Sequence, residues 1–215
     1  MAGPAAPGRR LPALDALRGV AVVAMIFYHF TWDLKHFRLI DADLANSAAF
    51  HAIGHAIAAV FVSIAGFALV LAHRGGFDVV AYVRRLALIV TAAVAVTAVT
   101  FYAMPEAYIF FGILHSIAAA SLAGFLFLRA PVWLIVAAAA AALAAPHLFR
   151  SPAFDAPGLV WIGFGTVSPY TYDFRSFFPW VGVFLAGMAA ARLRAERALP
   201  ALADRPPASW AIRAG

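Results

Sequence analysis

Six apolar stretches, separated by short polar segments, dominate the chain. A helix that spans a bilayer needs about 20 consecutive, mostly apolar residues, and each stretch reaches or approaches that length. The stretches are Leu14–Trp32, Ala52–Ala72, Val83–Met104, Tyr108–Leu128, Val132–Leu148 and Phe177–Ala191. They predict an all-α integral membrane protein, built as a bundle of about six transmembrane helices.

The composition agrees with a membrane location. Of the 215 residues, 65% are hydrophobic and 12% are charged, whereas soluble domains are about half apolar and about a quarter charged. The chain has no Cys, which excludes disulfides, thiolate metal sites and Cys nucleophiles. The net charge of +6 comes without a basic–aromatic patch. It therefore predicts basic cytoplasmic loops, and no nucleic-acid partner.

The basic residues divide unequally between the two sides of the predicted bundle. Lys35, Arg38, Arg150 and Arg175 fall on one side. The side that the positive-inside rule assigns to the cytoplasm holds Arg9, Arg10, Arg18, Arg74, Arg84, Arg85, Arg129, Arg192, Arg194, Arg197, Arg205 and Arg213. We expect a multi-pass protein of a bacterial inner (plasma) membrane with both termini cytoplasmic. Residues 1–195 form one transmembrane domain in this interpretation, and residues 196–215 form a disordered cytoplasmic tail.

The first helix carries ionisable residues along one face. Asp15 and Arg18 lie three residues apart and can pair across one turn. His29 and Asp33 lie four apart near the other end, and Arg18 and His29 share a face about 16 Å apart along the axis. Ionisable groups inside a bilayer are costly and usually face a cavity or a partner. The stripe therefore indicates a functional face, with charged helix ends and a packed histidine as the structural alternative.

Three further histidines are candidates for a functional role. His51 and His55 are spaced i, i+4 at the start of the second helix, which suits a metal pair if His29 or His115 supplies a third ligand. Interfacial histidines are the alternative. His115 is predicted about two turns inside the fourth helix. An unpaired imidazole in hydrocarbon is unfavourable, so His115 has either a functional role or a structural hydrogen bond to a neighbouring helix.

Charged residues next to the third and sixth helices complete the set of candidates. Asp173 and Arg175 precede the sixth helix, where they line an outer pocket or are simply solvated. Arg84 and Arg85 begin the third helix, where they determine topology or meet the phosphates of a cytoplasmic ligand. Histidines thus collect toward the outer side and arginines toward the inner side, which suggests a path between the two faces.

Four collinear segments carry a resemblance to a known family. The first is Arg10–Gly19, followed by Met25 and His29. The others are Phe61–Gly66, Phe111–His115 and the run from Asp173 through Phe178, Pro179 and Trp180 to Gly187. They resemble the heparan-alpha-glucosaminide N-acetyltransferase catalytic-domain family and its bacterial relatives. The spacing from Arg18 to His29 is also similar to that of membrane acyltransferases that modify bacterial surface polysaccharides.

The resemblance implies transmembrane acyl transfer, in which an acyl-CoA, typically acetyl-CoA, donates its acyl group to a sugar on the far side of the membrane. The implied partners are membrane lipids and a sugar or glycolipid acceptor, and no metal is expected. The implied catalytic residues are His29, Asp33 and His115. The residues expected to bind the donor are Arg18, Arg84 and Arg85, and those expected to bind the acceptor are Asp15, His51, His55, Asp173 and Arg175.

Two other classes of function fit the histidines. A proton-coupled transporter of a small solute would use them as a relay, although the sequence shows no inverted repeat of the kind common in transporters. A haem- or metal-binding membrane protein would use His29, His51, His55 and His115 as ligands.

Overall fold

The computed structural model describes residues 11–40, 43 and 47–203. Within these residues the chain forms six α-helices and no strands, which confirms the all-α prediction. The helices are α1 (Pro12–His36), α2 (Ala48–Ala72), α3 (Val79–Ala103), α4 (Ile113–Phe125), α5 (Val132–Leu148) and α6 (Phe177–Ala203). The chain divides into two compact units, Met1–Ile64 and Ala65–Gly215, which are described separately.

Three of the helices are long and apolar enough to cross a membrane, namely Pro12–Lys35, Ala48–Ala72 and Val79–Ala103. The apolar helices α4 and α5 are shorter, with 13 and 17 residues. Many large apolar side chains face outward; Val20 and Phe27 are each 67% exposed. Such a surface suits lipid rather than water as the surrounding solvent. These features support a membrane protein, while the number of six spans stays a prediction.

The fourth helix begins at Ile113, five residues later than the predicted start at Tyr108. The preceding residues are held extended because two threonines of α3 bind the backbone of Ile109. Thr100 Oγ1 accepts from the Ile109 N–H at 3.0 Å, and Thr97 Oγ1 donates to the Ile109 carbonyl at 2.7 Å. His115 therefore lies in the first turn of α4, and the prediction of two turns inside the helix was wrong.

The last helix has an irregular start and a long end. Phe178 has extended φ and ψ angles of −92° and 134°, and the Phe178–Pro179 bond is cis. Regular helix thus begins at Pro179, a position that suits proline because the first N–H groups of a helix have no intrahelical partner. The helix continues to Ala203, past the predicted domain boundary at residue 195. Residues 204–215 of the predicted tail lie outside the described residues.

In the first unit, aromatic contacts join α1 to the beginning of α2. The ring of Tyr28 stacks on Phe50 with centroids 4.4 Å apart and planes inclined by 12°. Gly54 allows this approach, because an added Cβ would collide with the Tyr28 ring. Trp32 also contacts Phe50, with centroids 6.4 Å apart. The contacts described between α1 and the beginning of α2 are therefore mainly aromatic.

In the second unit, small residues bring helix backbones close to α6. Phe184 is fully buried at its centre. A Cβ on Gly66 of α2 would collide with the Phe184 carbonyl, and a Cβ on Gly124 of α4 would lie 2.7 Å from the Phe184 ring. Gly182 packs equally closely against Ala139 of α5. This is the small-residue packing expected between membrane helices, which gain little hydrophobic driving force in lipid.

The segment between α5 and α6 is a folded loop that is held together by hydrogen bonds to Asp155. The Asp155 carboxylate accepts from the backbone N–H and the hydroxyl of Thr166, both at 2.6 Å, and from the Val167 N–H at 3.1 Å. The hydrogen bond from the Thr166 hydroxyl is the main reason that the pKa of Asp155 lies below its ordinary value. Gly163, at a φ of 100°, occupies the left-handed region that favours glycine. The loop is therefore structured rather than a plain connector.

Candidate functional site

The first helix presents its candidate residues on the exposed face of the first unit. Arg18 Nη1 lies 3.3 Å from Asp15 Oδ1, which confirms the predicted pairing across one turn. Near the other end, His29 and Asp33 line an open depression of about 310 Å³ together with apolar side chains of α1. Both residues are exposed, so a molecule in the depression can reach the imidazole and the carboxylate.

His29 and Asp33 do not contact each other directly. Within the described part of the chain, no hydrogen bond of the His29 ring is found, and its ring meets the edge of Tyr28 with centroids 5.8 Å apart. The two candidate catalytic residues of α1 therefore do not form a hydrogen-bonded pair in this structure. One helical turn separates the two residues, so they lie on the same face of α1.

The histidine pair of α2 is joined through the backbone. The His55 Nδ1 lies 2.9 Å from the His51 carbonyl oxygen, and because a carbonyl only accepts, Nδ1 carries the proton. Both residues are exposed. Among the described residues, no three His, Asp or Glu side chains come close enough together to hold a metal ion.

In the second unit, a network of polar contacts surrounds the start of α4. Asp173 Oδ2 accepts from the Ile113 N–H at 2.8 Å, and Asp173 Oδ1 lies 3.4 Å from Arg175 Nη1. A carboxylate is stabilised at a helix N-terminus, where it meets free N–H groups and the positive end of the dipole. The structure thus brings Asp173 and Arg175 to the first turn of α4, which carries His115.

The His115 ring is held from two sides. Its Nε2 lies 3.2 Å from Thr97 Oγ1, and its Nδ1 accepts from the Gly112 N–H at 3.3 Å. Thr97 has already given its hydroxyl proton to Ile109, so it can only accept from His115. These bonds require the neutral tautomer with the proton on Nε2. The structural alternative for His115, a hydrogen bond to a neighbouring helix, is therefore present.

Arg175 ties the loop before α6 to the same end of the unit. Its backbone N–H donates to the Phe111 carbonyl at 3.1 Å, and its guanidinium lies over the Trp180 ring at 5.5 Å. The Arg175 Nε is buried and has no hydrogen-bond partner within the described residues. Buried donors of this kind are uncommon, so this nitrogen is available to a polar ligand.

Sequence reasoning missed three polar residues of this network. Thr97 and Thr100 hold the extended segment before α4, and Ser116 is completely buried with an Oγ that has no partner among the described residues. The i, i+3 spacing of the two threonines places them on one helix face. That spacing does not show whether the face meets another segment, and Ser116 has no sequence signal besides its place next to His115.

The residues expected to bind the donor show three different environments. Arg85 Nη2 donates to the Ala65 carbonyl at 3.1 Å, next to a small cleft lined by Tyr82, Leu86, Ile89 and Ser121. Arg84 is exposed. Arg18 belongs to the first unit, where Asp15 partly neutralises it. In the second unit, Arg84 and Arg85 therefore leave at least one guanidinium open to solvent.

The long apolar helices, the outward apolar surface and the polar networks at the helix ends define the chain as an all-helical membrane protein with ionisable residues along its helices. The model of the family described as heparan-alpha-glucosaminide N-acetyltransferase, catalytic, matches residues 10–215. The chain belongs to this family, which implies a function of the membrane acetyltransferase type. No curated protein and no solved structure matches the chain significantly.

Proposed function

We propose that the protein is an enzyme that moves an acyl group, typically acetyl, from acyl-CoA to a sugar or glycolipid at the outer face of the inner membrane. The observation that carries this proposal is the match to an acetyltransferase catalytic family over residues 10–215. Exposed ionisable residues on a membrane helix add chemical support, because such groups are costly in lipid unless they serve a site.

His29 is the general base in this proposal. In the transfer step, the imidazole takes the proton of the acceptor hydroxyl or amine while the acceptor oxygen or nitrogen bonds to the acyl carbon. The carbon–sulfur bond of the thioester breaks, and the proton passes to the CoA thiolate. The exposed His29 ring beside an open depression suits this role. Asp33, one turn away, favours the imidazolium that forms.

His115 plays a different catalytic part in the same proposal. Its Nε2–H is a donor and its Nδ1 already accepts from Gly112, so the ring is arranged to donate a hydrogen bond rather than to take a proton. A neutral imidazole can stabilise negative charge on the thioester oxygen. For this, the Nε2–H of His115 has to release Thr97 and donate its hydrogen bond to the substrate instead. The proposed role of His115 is therefore to donate a hydrogen bond to the thioester oxygen.

The remaining candidates divide between the donor and the acceptor. Arg18, Arg84 and Arg85 meet the phosphates of acyl-CoA, which guanidinium groups bind well. Asp173 and Arg175 offer the acceptor a carboxylate and a buried N–H that has no partner among the described residues, a combination that suits sugar hydroxyls. His51, His55 and Asp15 belong to the acceptor set of the proposal as well. No metal takes part in this scheme.

The test compares His29→Ala with His147→Ala, an exposed histidine of α5 that lies outside the proposed site. The full chain is purified in detergent, and release of CoA from acetyl-CoA is followed with a thiol reagent, with glucosamine as the acceptor probe. Because the protein has no Cys, the reagent reports CoA alone. We expect His29→Ala to lower the rate about 100-fold or more at an unchanged melting midpoint, and His147→Ala to leave it unaltered.

Normal turnover by His29→Ala would remove this residue from the mechanism. Acetyl-CoA must also raise the melting midpoint of the native protein if it binds as the donor. If millimolar acetyl-CoA gave no shift, and proton flux through vesicles occurred without it, the transporter would replace the enzyme as the proposed function.

A further inference from the structure

Two hydrogen bonds connect three segments of the second unit, and each of these segments carries an arginine. Arg74, which follows α2, donates from Nη2 to the Ala191 carbonyl of α6 at 3.0 Å. The next residue of α6, Arg192, donates from Nη2 to the Leu128 carbonyl, and Arg129 follows Leu128 directly. Since neighbouring Cα atoms are about 3.8 Å apart, these contacts place the backbone of Arg129 and Arg192 and the guanidinium of Arg74 at the same end of the unit.

The described residues provide no carboxylate partner for this cluster. The ion pairs among them are Asp15–Arg18 and Asp173–Arg175. Asp78 instead accepts from the Ala81 N–H at the start of α3. Glu196 lies one turn beyond Arg192 on α6, and the ion pairs of the described residues do not include one between them. The described residues thus give these three arginines no carboxylate counter-charge.

One nitrogen of the cluster also lacks an acceptor. Arg192 Nε is buried and has no hydrogen-bond partner within residues 11–40 and 47–203. A guanidinium offers five N–H donors in a fixed plane, and one of those of Arg192 is used on Leu128. An anion with several oxygens can satisfy Nε and balance the charge at once. Phosphate fits best, because guanidinium forms paired hydrogen bonds with it.

The surface around the cluster indicates which molecule carries the phosphate. Leu126 is 76% exposed two residues before Leu128, and Leu193 is 38% exposed next to Arg192. Exposed apolar side chains beside a basic pocket suit a lipid, whose acyl chains cover the leucines while the headgroup meets the arginines. We propose that Arg74, Arg129 and Arg192 form a binding site for the phosphate of an anionic phospholipid, separate from the residues assigned to acyl-CoA.

The test measures the melting midpoint of the full chain in detergent with added short-chain phosphatidylglycerol, phosphatidylcholine or inorganic phosphate. Bound ligand stabilises the native state by mass action, so phosphatidylglycerol at about ten times its dissociation constant should raise the midpoint by about 3 °C. Phosphatidylcholine should raise it by less than half as much. The shift should fall by at least half in Arg129→Gln and in Arg192→Lys, which keeps the charge but loses Nε.

The matched control is Arg194→Gln, which removes one positive charge from the same helix. Two residues along a helix correspond to a rotation of about 200°, so Arg194 points away from the cluster and its variant should keep the full shift. Equal losses in Arg129→Gln and Arg194→Gln, or no shift in the wild-type protein, would overturn the proposal. A shift with inorganic phosphate alone would replace the lipid by a soluble phosphate. No acyl-CoA is present, so the outcome is independent of the proposed transferase activity.

Discussion

The hydroxyl of Thr97, a residue of the apolar helix α3, has hydrogen-bond partners in two other parts of the chain. Its hydroxyl donates to the Ile109 carbonyl and accepts from His115, so it serves both the extended segment and the imidazole. Non-helical backbone at membrane depth is tolerated only where its polar groups find partners inside the protein. One hydroxyl therefore supports the late start of α4 and the tautomer of His115.

Replacing Thr97 by Val should destabilise the protein by about 1–3 kcal/mol, because a buried carbonyl and an imidazole N–H lose their partner. Thr97→Ser keeps the hydroxyl and should recover most of that loss. The measurement is the melting midpoint in detergent, with Thr91→Val as the control at an exposed position of the same helix. Equal midpoints for Thr97→Val and Thr91→Val would show that the network contributes little.

The sequence predicts His115 as a candidate residue but not its partners. A histidine in an apolar segment stands out, because burial of an unpaired imidazole is unfavourable. Thr97 does not stand out, because threonines on membrane helices commonly bond their own backbone, as Thr100 does with the Val96 carbonyl. Whether a threonine faces another segment depends on tertiary packing, and no local pattern encodes it.

At the scale of elements, Gly66 sets how closely α2 and α6 pack within the second unit. A Cβ at this position would meet the Phe184 carbonyl, which belongs to a helix backbone and cannot swing aside. Gly66→Ala should therefore force the helices apart and cost about 1–3 kcal/mol. Gly75→Ala is the control, since nothing lies within 4 Å of the added Cβ there.

The midpoint of thermal unfolding should fall for Gly66→Ala and stay nearly unchanged for Gly75→Ala. If both variants melted like the wild-type protein, the close approach of the two helices would not exist in solution. The same pair separates packing from chain entropy, because both substitutions remove the same backbone freedom from the unfolded state.

The helices themselves follow well from the hydrophobic pattern, and their ends follow less well. Each of the six predicted stretches overlaps one observed helix, since about 20 apolar residues leave few other choices in lipid. The start of α4 differs from the prediction because a side chain from far along the chain binds the backbone there. Asp173 binds the N–H of Ile113 across 60 residues, and such contacts leave no periodicity in the sequence.

At the scale of the whole molecule, the second unit has two distinct polar ends. Arg74 and Arg192 join the segments after α2 and after α4 to α6 at one end. The segment before α4 meets the loop before α6 at the other, where the Tyr172 N–H donates to Ala107 and Thr171 Oγ1 donates to Tyr108. The distribution of arginines along the sequence groups the same loops, but it indicates none of these hydrogen bonds.

The two ends should face opposite sides of the membrane. α5 starts beside Arg129 and spans 17 residues, or about 25 Å, so Gly158 in the following loop lies far from Gly75 in the turn after α2. Single cysteines at these glycines meet no neighbour within 4 Å, and the chain has no Cys of its own to give background labelling. An impermeant maleimide added to intact spheroplasts should label Gly158→Cys, whereas Gly75→Cys should react only after permeabilisation.

The opposite pattern would reverse the predicted orientation. Labelling of both from one side would mean that α5 does not cross the bilayer, so that the six-span prediction would fail.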